Sequence, residues 1–213
     1  MRVLAVSDQI SGVIYSPALR ELARGVEFVV SSGDLPSHYL EYIVSMLDVP
    51  LYYVMGNHAG MGGDREFPEG CVNIDGRVIE HKGLLIAGLE GSIRYNENEC
   101  YQYTENEMRA KIAALSPRLW LNKMRYGRYL DLCITHAPPF GIQDGRDLAH
   151  HGFRSFLWLI DHYHPRYLIH GHQHVYDSRT VTQTLRGRTL VVNAFGYKII
   201  DIVNGRFSIT SGS

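Results

Sequence analysis

Five groups able to hold a metal or move a proton recur along the chain: Asp8, Gly33-Asp34, Gly56-Asn57-His58, His136 and Gly171-His172-Gln173-His174. Singly, each is ordinary. An aspartate after a strand usually caps or turns, Gly-Asp and Gly-Asn are common turn dipeptides, and a surface His-x-His says little. Together they supply carboxylate, amide and imidazole donors, a set suited to Mn, Fe, Zn or Ni. Asp34 could give one oxygen to each of two cations and lower their mutual repulsion. In an extended His172-x-His174 the two side chains point the same way and could reach two neighbouring metals. Gly33, Gly56 and Gly171 permit tight turns that hold the next side chain in place. Pro138 biases the link after His136 away from helix.

Position makes the set more than a coincidence. Short β-type runs at 3–6, 26–30, 51–54, 130–134 and 167–169 lead into these groups, and a sixth run, 84–87, ends at Gly88. Open α/β sheets build their sites just beyond the C-terminal ends of such strands. Further strands are expected at 190–192, 198–203 and 207–210, with turns at Gly196 and Asn204-Gly205. Helical spacing marks 39–47, through Leu40, Ile43, Val44 and Leu47, and 152–163, through Phe153, Phe156, Leu157 and Ile160, with Pro165 as a stop. Thr104-Glu105-Asn106-Glu107 is a capping box opening a third helix, which Pro117 is expected to end. Strands alternating with helices early and bunched late predict an α/β protein with a mixed sheet or two. With no repeat or linker, residues 1–213 are expected to form a single domain.

The ordered set resembles the signature of the calcineurin-like metallophosphoesterases, D-x-H … GD … GNH[DE] … H … GHxH, matched here from residue 8 to residue 174. The resemblance implies an α/β (α+β) four-layer sandwich, two mixed β-sheets face to face and flanked by helices. It implies two divalent metal ions, one held by Asp8, Asp34 and His174, the other by Asp34, Asn57, His136 and His172. It gives Asp34 and His58 catalytic roles, His58 as an acid beside the leaving-group oxygen. The implied reaction is hydrolysis of a phosphodiester or phosphomonoester, phosphodiesterase or phosphatase, by attack of metal-activated hydroxide on phosphorus. The substrate would be small and phosphorylated or nucleotide-like. Two positions depart from the signature: Ile10 stands where a histidine is usual, and Ala59 where an acidic residue is usual. The first change predicts weaker binding of one metal, with water filling the vacancy. The second predicts a less well oriented His58. Both allow reduced activity, and both favour the alternative of a catalytically weak or inactive scaffold that binds a protein or ligand.

Two irregular stretches, 90–103 and 137–151, are expected to be loops that set specificity. Arg94, Arg146 and His150 within them are the candidates for contact with substrate phosphate, although Asp147 reads first as a residue that caps or ties its loop. Tyr95, Tyr101 and Tyr103 could stack on a ring, but tyrosines also anchor loops. Trp120 and Trp158 fall in apolar helical stretches and are expected in or near the core. Formal net charge is −1, which offers no basic excess for duplex nucleic acid. The three cysteines form no C-x-x-C pair, no apolar run is long enough for a bilayer, and the start lacks a secretory signal. A cytoplasmic protein is therefore expected.

Overall fold

A computed structural model describes residues 1–58, 67–97, 99–177, 179–203 and 206–211, of which 203 and 206–211 are backbone only. The first half of the chain holds β1 (Arg2–Ser7), α1 (Leu19–Leu22), β2 (Val26–Ser31), α2 (Ser37–Leu47) and β3 (Leu51–Tyr53). It continues with β4 (Val72–Asn73), β5 (Val78–His81), β6 (Leu84–Leu89), β7 (Ser92–Ile93) and β8 (Gln102–Tyr103). Next come α3 (Glu105–Tyr126), β9 (Leu132–Thr135), a 3-10 turn (Leu148–His150), α4 (Arg154–Tyr163) and β10 (Tyr167–His170). The chain closes with β11 (Gln183–Arg186), β12 (Thr189–Asn193), β13 (Gly196–Val203) and β14 (Arg206–Ser211).

Two six-stranded sheets result, in the orders β14-β13-β1-β2-β3-β4 and β11-β12-β10-β9-β6-β5. The central strands β1, β2 and β3 run parallel, as do β6, β9, β10 and β12, while β13, β14, β5 and β11 pair antiparallel at the flanks. Val3, Ala5, Phe28, Val30, Ile86, Ile134, Ile169, Val192 and Ile200 fill the layer between the sheets. The outer face of the first sheet packs on α1 and α2 through Leu19, Tyr39, Leu40 and Ile43. The outer face of the second packs on α3 and α4 through Met108, Ile112, Phe156 and Ile160. This is the expected four-layer sandwich. Each fully buried Leu, Ile or Phe in these layers contributes roughly 1.5–3 kcal/mol.

Local chemistry sets the helix limits. Thr104 and Glu107 form the reciprocal capping box at the start of α3, and Gly127 ends that helix in the left-handed region. Pro117 does not end it, contrary to expectation: the helix runs on to Tyr126. The proline forfeits the bond to the carbonyl four residues back. Leu115 before it and Leu119 and Asn122 beyond it nonetheless stay buried on one face, and this packing outweighs the lost bond. Trp120 and Trp158 are about half exposed rather than in the core, because each sits on the solvent side of its helix. The 90–103 stretch is more ordered than a loop, since β7 and β8 pair within it. Position 59 and the expected Asn204-Gly205 turn lie outside the described residues. No helix among the described residues is long and apolar enough to cross a membrane.

Candidate metal centre

Parallel strands point their C-terminal ends the same way, so the residues that follow them meet at one edge of the sandwich. Asp8 follows β1, Asp34 lies just beyond β2, Asn57 and His58 beyond β3, His136 follows β9, and His172 and His174 lie beyond β10. Neighbouring strand ends are tied within each sheet: the Asp8 N–H donates to the Gly33 carbonyl (3.1 Å) and the Gly171 N–H to the His136 carbonyl (3.0 Å). The two sheets are joined there by the His172 N–H donating to Asp8 and the Ser32 hydroxyl donating to the Ile169 carbonyl. Asp8, Asp34 and His172 all take left-handed backbone geometry, with φ of 61°, 54° and 64°. Such residues cost about 1–3 kcal/mol each and persist only where the surroundings impose them. Glycines make room for this crowding. A Cβ on Gly56 would lie 2.0 Å from Asp34 Oδ1, and one on Gly171 would lie 1.9 Å from Ser7 Oγ.

Asp34, His136 and His172 place one potential ligand atom each within 4.8 Å of one another. The His136 ring is fully buried, and its Nδ1–H donates to the Ser32 carbonyl (2.7 Å). Its other nitrogen, Nε2, therefore faces inward, 2.9 Å from Asn57 Oδ1 and 3.3 Å from Asp34 Oδ2. The Asn57 amide is fixed in that direction because its Nδ2 donates to the Tyr95 hydroxyl (3.0 Å). Asp34 is steadied by the His58 N–H, which donates to Oδ1 (3.0 Å). His172 donates from Nε2 to the Ala149 carbonyl (2.7 Å), which leaves Nδ1 as its lone-pair nitrogen. Lone pairs on imidazole, amide and carboxylate thus converge on one small volume, and only a cation reconciles them. A proton on His136 can do so, and so can a divalent ion. The donor set fits the latter.

Electrostatics follow the same pattern. Burial alone would lower the His136 pKa, but the Asp34 and Asp8 carboxylates more than reverse it and raise it to about 9. Burial would raise Asp34, yet His136 beside it and the two hydrogen bonds it accepts hold it at about 2. Burial, aided by charge on His136, depresses His172 to about 3, so it stays neutral and able to coordinate. Asp8 is raised, chiefly by burial.

The remaining expected ligands are less gathered. Asp8 accepts the His172 N–H at 3.0 Å with both oxygens. His174 is exposed and turned outward, with Nδ1 2.9 Å from the Tyr176 hydroxyl and its ring 5.1 Å from that of Phe195. The extended geometry expected for His172-x-His174 does not form, because the left-handed turn at His172 sends the two side chains apart. His58 is exposed at the lip. His150 lies beside the centre, its ring 5.2 Å from that of His172, and its Nδ1 is paired with Asp147, which also caps the 3-10 turn. Arg94 instead binds Glu107 and the Gln102 carbonyl, tying its loop to α3, and Arg146 is exposed. Tyr103 is an anchor, its hydroxyl donating to Glu90 and its ring lying under Lys111. Sequence reasoning misses the roles of Tyr95 and of the Ser32 and Ala149 carbonyls. A carbonyl has no signature in sequence, and Tyr95 is one of three tyrosines in its loop.

The calcineurin-like phosphoesterase family profile matches residues 1–176. A protein of Methanocaldococcus jannaschii, the uncharacterized protein MJ1162, is 26% identical over 204 residues, covering 91% of this chain and 87% of that one. TT1561 of Thermus thermophilus has a similar crystal structure, with a TM-score of 0.66 at 18% identity over 98% of this chain and 97% of that one. An archaeal phosphodiesterase aligns over 99% of both chains with a TM-score of 0.48 at 14% identity. With the profile covering the whole run of site residues from Asp8 to His174, the chain belongs to the calcineurin-like phosphoesterase family.

Proposed function

We propose that the protein is a metal-dependent phosphoric ester hydrolase acting on a small phosphorylated substrate. The observation that carries this reading is the convergence of potential ligand atoms from Asp34, Asn57, His136 and His172, each held from behind by a hydrogen bond. Those residues would hold one divalent ion, and Asp8, Asp34 and His174 a second, of Mn, Fe, Zn or Ni. When bound, such ions lower the pKa of water and offset charge on phosphoryl oxygens.

The chain's own residues do the rest. The ties from Ser32, Tyr95 and Ala149 fix the ligand side chains before substrate arrives, so little reorganisation is needed at reaction. His58 follows Asn57 at the open lip, where a substrate enters. Its exposed imidazole would turn toward the departing oxygen and give it a proton, while its N–H stays on Asp34.

A specific observation favours a second reading. With His174 turned to Tyr176 and an exposed Ile10 in place of a histidine, one half of the centre has few protein donors, as in a scaffold that binds rather than turns over. Hydrolysis of bis(p-nitrophenyl) phosphate and p-nitrophenyl phosphate by metal-stripped protein, with Mn, Ni, Zn, Mg or Co restored singly, separates the two. Activity that returns with metal and is absent in Asp34→Ala supports the hydrolase. A folded protein inactive with every metal refutes it.

A further inference from the structure

Beside the candidate centre a groove of about 780 Å³ opens between the turn after β1 and the segments that flank β11 and β13. Gln9, which follows Asp8, and Val175, which follows His174, line it, so it begins where the Asp8 half of the centre ends. The topology explains the adjacency. β13 runs antiparallel to β1, which brings Gly196, Tyr197 and Lys198 to the same sheet edge as Asp8.

Lys198 is the anomaly in this groove. It pairs with Ala5 across β1 and β13, and the alternation that sends Ile200 and Ala5 between the sheets sends Lys198 there too. The residue is only 7% exposed, its stem buried, while its ammonium, for which no ion pair is recorded among the described residues, is left accessible from the groove. Lysine is almost never buried unless paired, and burial here pushes its pKa down. Asp177, the acidic residue in the lining, is already engaged by Arg179. At the mouth, Tyr176 is 81% exposed, with its hydroxyl tied to His174 and its ring edge-on to Phe195. A largely exposed ring held in place through its hydroxyl can serve as a stacking platform, and the groove volume suits a nucleotide-sized ligand.

We infer that this groove is a substrate subsite that takes an aromatic ring on Tyr176 and a second anionic group, distinct from the scissile phosphate, on Lys198. The substrate class is then a phosphoester bearing both, of the kind a phosphorylated nucleotide diester presents. This rests on the phosphoesterase reading and narrows it.

The test compares two ligands that share one diester and one pair of rings and differ by a single anion. These are the thymidine dinucleotide with and without a 5′-phosphate. Their binding to metal-stripped protein is measured by calorimetry up to millimolar concentration, which needs no turnover. The phosphorylated ligand is expected to bind wild type about tenfold tighter or more. Lys198→Met is expected to abolish the preference, Lys198→Arg to restore part of it, and Tyr176→Ala to weaken both ligands alike. Lys198→Met is also expected not to lower the Tm, because partial burial already disfavours the charged ammonium. A lysine kept for structure would instead lose stability. Failure of both ligands to bind, equal binding by wild type, or a preference that survives Lys198→Met overturns the inference. Hydrolysis of bis(p-nitrophenyl) phosphate by the same protein reloaded with metal separates the two levels: turnover without discrimination sinks the subsite alone, and no turnover sinks the reading beneath it.

Discussion

The two halves of the candidate centre are built differently. Around His136, every donor is held from its far side: His136 by the Ser32 carbonyl, Asn57 by Tyr95, Asp34 by the His58 N–H and His172 by Ala149. Around Asp8 the chain offers a carboxylate held by the His172 N–H and the Ser7 hydroxyl, an exposed His174 facing Tyr176, and Ile10 where a ligand is usual. The contrast teaches where affinity is stored. Folding has already met the cost of ordering the first set, through burial and left-handed geometry at Asp34 and His172. In the second set Asp8 is likewise left-handed and largely buried, so His174 is what remains to be ordered when ions or substrate bind. On the proposed two-metal reading, one tighter and one looser site are expected.

The sharpest way to break this picture is Asp34→Ala, since Asp34 serves both halves. Activity is expected to fall by about 10³-fold or more, with metal retention lost alongside. Elemental analysis of the purified variant checks the second part. Next in size is the pair His172→Ala and His174→Ala. The first should cost about 10²-fold in activity at fixed metal, the second no more than about tenfold, because only His172 belongs to the ordered half. Equal losses would erase the distinction between the halves. Tyr95→Phe removes the hydroxyl that aims the Asn57 amide and should weaken metal affinity about tenfold, seen as a higher metal concentration for half-maximal activity.

A smaller effect sharpens the comparison through pH. In metal-free protein, His136 is raised to about 9 by its carboxylate neighbours, so its imidazolium contributes stability in full below the ordinary value near 6.5. That contribution is lost as pH rises through 9. His81, His170 and His172 are all lowered, so they oppose this trend near pH 6.5, where their unfolded imidazoles still bind protons, and become neutral in both states above about pH 7.5. The Tm of stripped protein should therefore fall between about pH 7.5 and 9, and saturating metal, which replaces the proton, should flatten the fall. A Tm independent of pH in stripped protein would remove the proposed competition.

Much of the fold and of the centre is legible in the amino-acid order. Asp8, Asp34, Asn57, His58, His136 and His172 mark the ends of β1, β2, β3, β9 and β10 at one edge, because each strand announces itself by an apolar run and a polar stop. What stays hidden is set by tertiary contact. Pro117 reads as a helix stop from its own chemistry, and only the sheet beneath Leu115 and Leu119 shows why α3 continues. His172-x-His174 reads as two ligands on one face if extended, and the left-handed turn at His172 is imposed by crowding against Asp8 and Ser7 that spacing cannot express. The short strands β4, β7 and β8, with only two residues each, carry too little alternation to detect. Lys198 lies in the apolar run of β13, and its place at the groove depends on where β13 pairs.

The central claim is that Asp34, Asn57, His136 and His172 hold a metal ion more firmly than any other set in this chain. Calorimetric titration of metal-stripped protein with Mn²⁺ or Zn²⁺ tests it directly, with His172→Ala and His174→Ala run alongside. The account predicts one tight equivalent in wild type and in His174→Ala, lost in His172→Ala, with any further binding weaker. Tight binding that survives His172→Ala and disappears in His174→Ala would contradict it.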